Sequence, residues 1–118
     1  MTAIEQIDAA KAELLDQLEW TRKRTESLVC SLPETALDVP YHPGVNPPLW
    51  EMGHAAFFYE VFLFNLLDGT PSHDPSMDDL WDSFHIEHRD RWNRELFPGR
   101  QKTLEYFNLI YDRVAERI

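Results

Sequence analysis

Between Pro47 and Asp68 the chain reads "PPLWEMGHAAFFYEVFLFNLLD", and no other segment constrains the fold as much. Asn46 has the chemistry of a helix N-cap, and Pro47 at the first helical position gives up an N–H that would have no partner there anyway. Gly69 supplies the left-handed residue that commonly closes a helix. Inside these limits Trp50, His54, Phe57 and Val61 recur on one helical face. Phe58, Phe62, Leu63, Phe64, Leu66 and Leu67 cover much of the remainder. A helix apolar on more than one side has to be covered on more than one side, so other helices must pack around it.

The flanking segments supply them. Residues 2–31 predict one long helix, opened by the Thr2/Glu5 spacing of a capping box and stopped by Pro33. Its apolar positions Ile4, Ile7, Leu14, Leu18 and Leu28 follow a helical period. Residues 33–48 hold five of the eight prolines and read as a long connection. After the turn "TPSHDP", the run "SMDDLWDSFHIEHRDRWN" predicts a shorter charged helix started by Ser76 with Asp79. "FPGR" (97–100) breaks it. The last segment puts Leu104, Phe107, Tyr111, Val114 and Ile118 on one stripe with charge opposite. No strand-like alternation and no repeat occurs. The expected class is all-α, a single domain over 1–118, built as a helical bundle with up-and-down packing.

Composition limits the functions such a bundle can serve. The 118 residues include 21 acidic and 11 basic side chains, a formal charge of −10. That balance opposes phosphate neutralisation, so nucleic acid is not an expected partner. Nothing approaches the roughly 18 apolar residues of a membrane span. Cys30, the single cysteine, forms no internal disulfide and reads as a small buried hydrophobe. A soluble, cytoplasmic protein is expected.

An isolated imidazole on an apolar face reads, from spacing alone, as a core histidine bonded to a carbonyl or carboxylate. Its neighbourhood gives His54 a second reading. "NPPLWEMGHAAFFYE" (46–60) resembles the second-helix motif of the DinB-like superfamily, in the branch that forms the N-terminal domain of ergothioneine-synthase-type proteins. Pro47, Pro48, Leu49, Trp50, Gly53, His54, Phe57, Phe58 and Glu60 carry the match. "DSFHIEHRDRW" (82–92) is similar to the connecting segment of that branch, with a lean toward its selenoneine-synthase-like subgroup. "TLEYFNLIYDRV" (103–114) is similar to its third long helix.

The resemblance implies a four-helix bundle around a non-haem iron(II) held by three histidines. His54 would be the ligand from helix two, and the other two would come from a His-x-x-x-His pair on the fourth helix. No such pair exists in these 118 residues. The resemblance therefore places the fourth helix and its ligands beyond Ile118, together with a C-terminal substrate-binding domain. The implied activity is oxygen-dependent carbon–sulfur or carbon–selenium bond formation on a histidine betaine, with this segment inactive alone. The other reading is a non-catalytic helical interaction module that has lost its metal site. On either reading an apolar groove is left for a second copy or a partner to fill, and a homodimer is expected.

Other histidines rank lower. His85 and His88, at i and i+3 on the expected charged helix, could share a surface metal, but read first as solvated. His42 and His73 lie in proline-rich turns. Glu60 falls about 240° round the wheel from His54 at 100° per residue, so it is expected to pair with a basic residue on a neighbouring helix instead.

Overall fold

The computed structural model describes residues 1–118. Three long helices dominate. Helix α1 spans Ala3–Cys30, and its capping box forms as expected, with Thr2 Oγ1 accepting from Glu5 N–H and the Glu5 carboxylate accepting from Thr2 N–H. Helix α2 spans Pro48–Tyr59 and continues as a π-helical stretch over Glu60–Leu67, closed by Gly69 at φ 69°. After a one-turn helix α3, Asp78–Trp81, the chain ends in α4, Arg100–Arg117. There are no strands.

The contacts fix the helix directions. Arg22 on α1 reaches Asn108 and Asp112 on α4, while the Leu32 carbonyl past the end of α1 accepts from Arg100 at the start of α4. These two helices are antiparallel. Along α2 and its extension, Glu60 meets Tyr106, Phe64 lies under Arg113 and Asp68 pairs with Arg117, so α2 and α4 run parallel. Up-and-down alternation therefore holds from α1 to α2 and gives way between α2 and α4. The parallel pair explains residues 70–99, which must carry the chain back along the whole length of the bundle.

That return path is not the single charged helix expected from Ser76. Asp74 caps a turn at Pro75–Met77 by accepting from Ser76 N–H, α3 follows for four residues, and Asp82 then ends it. The Asp82 carboxylate accepts from Phe84 N–H at 2.8 Å, an Asx-type turn that competes with helix propagation. A second turn, His88–Trp92, lies further on. Asn46 likewise departs from its expected role. Pro47 occupies the cap position, and the Asn46 carboxamide instead accepts from Arg91 on the return path and donates to Glu51.

One core joins Leu18 and Val29 of α1, Leu49, Met52, Ala56 and Phe64 of α2 and its extension, and Phe107, Ile110, Tyr111 and Val114 of α4. The α4 stripe is thus as expected. Only part of the α1 stripe is. Every residue from Met1 to Gln17 is exposed, including Ile4, Ile7 and Leu14, because α1 outruns α4 by roughly 20 Å at 1.5 Å per residue. Cys30 is exposed rather than buried, since Val29 takes the inward position one residue earlier. No helix is long and apolar enough to cross a membrane.

Candidate functional site

His54 sits one turn past Trp50 on α2, and the two rings stack at 4.6 Å between centroids and 12° between planes. Trp50 also belongs to a smaller cluster with Phe57 and Trp81, against which Val61 packs, so the apolar part of the face expected from spacing does form. Trp50 is fixed in turn. Its indole N–H donates to the Leu80 carbonyl at 3.0 Å, and the Arg91 guanidinium lies over its ring.

The adjacent Gly53 explains how the return path comes so close. A Cβ there would fall 2.3 Å from two carbons of the Trp81 ring, so only glycine admits the indole against α2. With Trp81 seated, its carbonyl oxygen stands 2.7 Å from His54 Nδ1. A carbonyl only accepts, so Nδ1 carries the proton and, in the neutral ring, Nε2 keeps its lone pair. Nε2 has no hydrogen-bond partner within the chain. An imidazole whose Nδ1–H is held by a backbone carbonyl while Nε2 stays open is the usual arrangement of a metal-binding histidine.

No group of three or more His, Cys, Asp or Glu side chains comes together in a way that could hold a metal ion. A three-histidine iron centre of the kind the resemblance implies would need two further donors beside His54. The other histidines are engaged separately. His42 Nδ1 accepts from Gly44 N–H, and His88 Nε2 lies against the His42 carbonyl. His85 Nδ1 sits 2.8 Å from the Asp82 carboxylate, which raises the imidazole above its ordinary range. Burial pushes the Asp82 carboxyl up, but the Phe84 N–H and the His85 ring outweigh it and leave the group below its usual range. His85 and His88 share no helical face and no common centre.

A second polar cluster went unforeseen in the sequence. Glu60, at the α2/π junction, is 1% exposed. Its Oε1 accepts from the Tyr106 hydroxyl at 2.8 Å and its Oε2 from His73 N–H at 2.9 Å. The expected basic partner on a neighbouring helix is Arg113, but it stands back at 3.9 Å. Burial and the Glu60 carboxylate push the Tyr106 phenol far above its ordinary range. The one available signal was a glutamate in an apolar helix, which has to find buried donors.

A family model of the DinB superfamily matches residues 17–118. The chain belongs to the DinB superfamily. No curated protein matches it. The matched region begins where α1 first becomes buried, at Leu18, so the DinB domain proper coincides with the packed part of the chain. Within that DinB domain, Trp50, Gly53 and His54 of α2 and Trp81 of α3 form one connected unit.

Proposed function

We propose that this chain is the DinB-like domain of an ergothioneine-synthase-type protein, in which His54 supplies one of three imidazoles to a non-haem iron(II). The observation that carries the reading is the His54 ring itself, with Nδ1 held by the Trp81 carbonyl and Nε2 open. Bound there, iron would supply oxygen-dependent chemistry that forms a carbon–sulfur or carbon–selenium bond on a histidine betaine. Residues 1–118 bring a single ligand to that centre, so they are inactive alone, and the remaining ligands must come from a further segment or chain. In this role α2 orients the imidazole, while Trp50 and Phe57 keep water from its flanks.

Metal content tests the reading without needing turnover. Combined with the segment or chain that carries the other imidazoles, the protein purified without a histidine tag is expected to hold near-stoichiometric iron, and His54→Ala to lose it while keeping its helical circular dichroism. A wild-type assembly with no bound metal overturns the ligand role for His54.

The second reading, a helical interaction module, rests on the exposed apolar side chains. Ile4, Ile7 and Leu14 on α1 and Phe58, Phe62, Leu66 and Leu67 on α2 and its extension are all about half exposed or more. Such surface is rarely left bare, and a second copy of the chain is the proposed cover. Sedimentation at micromolar concentration is expected to show a dimer; a stable, monodisperse monomer would sink the proposal.

A further inference from the structure

A cleft of about 350 Å³ opens between the α3 turn and α4. Its walls are largely apolar and aromatic, with Trp81 and Tyr106 nearly parallel at 8° among them. Three carboxylates line it, Asp74, Asp78 and Glu105, against Lys102 as the one lysine or arginine. None of the three is in an ion pair with a lysine, arginine or histidine. Their hydrogen-bond donors are neutral: Ser76 for Asp74, Ser72 for Asp78 and Gln101 for Glu105.

We propose that this cleft binds a small organic ammonium ion, a primary or secondary amine on a flat or apolar body. Each part of the lining favours that chemistry over the alternatives. Uncompensated carboxylates select a cation and repel an anion. The carboxylates do not converge into a metal-holding group, and the cleft is far larger than a bare ion, so the cation needs a body. Aromatic walls suit an apolar body and add cation–π attraction. Carboxylate oxygens accept hydrogen bonds, which an ammonium carrying N–H groups can donate and a quaternary one cannot. Burial and the neighbouring Glu60, Asp79 and Asp74 push the Asp78 carboxyl above its usual range, a repulsion that a bound cation relieves. The inference does not depend on a metal at His54.

Phenethylammonium chloride is a suitable probe, with 2-phenylethanol as its uncharged counterpart, both followed by NMR on the intact chain. The ammonium is expected to bind at least about tenfold more tightly than the alcohol and to shift the Trp81 indole and Tyr106 ring resonances. Asp78→Asn, which retains an acceptor for Ser72, should weaken the ammonium about tenfold and leave the alcohol unchanged. Glu105→Gln, on the exposed side of α4, should weaken it by a smaller factor, and serves if Asp78→Asn fails to fold. Treatment with EDTA should leave the ammonium affinity unchanged, which separates this site from the metal reading. Equal binding of ammonium and alcohol, shifts confined to residues outside the cleft, or wild-type affinity in both carboxamide variants would each overturn the proposal.

Discussion

Gly53→Val is expected to cost about 2–3 kcal/mol of stability, although valine is a slightly better helix former than glycine. The reason lies across the interface and not in the helix. A Cβ at position 53 meets three carbons of the Trp81 indole at 2.3–2.6 Å, well inside any tolerable contact. Those atoms are not the end of a flexible chain that can swing aside. Trp81 is 2% exposed, with Phe97 and Tyr106 packed beside it at 5.0 and 6.5 Å between ring centroids. Something larger has to shift, and the return path carrying Trp81 is the least constrained element. Thermal unfolding should show a drop of roughly 10 °C for a domain of this size. Shortening the ring relieves the same clash, so Trp81→Phe combined with Gly53→Val should be markedly less destabilised than the two single changes summed. Strict additivity in that cycle would mean that Gly53 is chosen for some reason other than the approach of Trp81. Because the Trp81 carbonyl holds His54 Nδ1, the same variant should also loosen the imidazole.

This coupling marks where sequence reasoning reached and where it stopped. Helical periodicity located α1 and α4, and the apolar density around Trp50 and His54 identified α2 as the central element. Those signals are local, and local signals were enough for class and for the His54 face. The direction of α4 was not local. Parallel packing of α2 and α4 is set by pairs such as Glu60–Tyr106 and Asp68–Arg117, about fifty residues apart, which no periodicity encodes. The charged run after Ser76 misled for a related reason. Its composition favours a helix, but Asp82 and Asn93 bond to backbone N–H groups two residues on and turn the chain instead. The wheel placed Val61 with Trp50 and Phe57, but gave no sign of the change in helix geometry beyond Tyr59. There the helix widens to π geometry, and Phe62, Leu66 and Leu67 continue the outward face that Phe58 opens within the regular helix.

The same widening begins at Glu60, where the second large effect is expected. Glu60→Ala should cost about 3 kcal/mol or more, measured by chemical denaturation. Two donors, the Tyr106 hydroxyl and the His73 N–H, lose their acceptor in a place where water reaches poorly, at about 1–3 kcal/mol each. Arg113 at 3.9 Å would also lose its nearest carboxylate. Glu60→Gln separates the contributions, since its carbonyl oxygen can still serve one donor but its amide nitrogen cannot serve His73 N–H. It should fall between wild type and alanine. Removing the carboxylate and the phenolic hydroxyl together, with Glu60→Leu and Tyr106→Phe, replaces a buried polar pair by apolar groups and leaves only His73 N–H and Arg113 without it. That double variant should be more stable than Glu60→Ala. If it is instead the least stable of the set, the hydrogen bonds themselves, and not the avoidance of orphaned donors, hold α2 to α4 and to the His73 turn. If Glu60→Ala costs less than about 1 kcal/mol, the buried carboxylate is reached by water after all, and its place at the start of the π stretch has no energetic role.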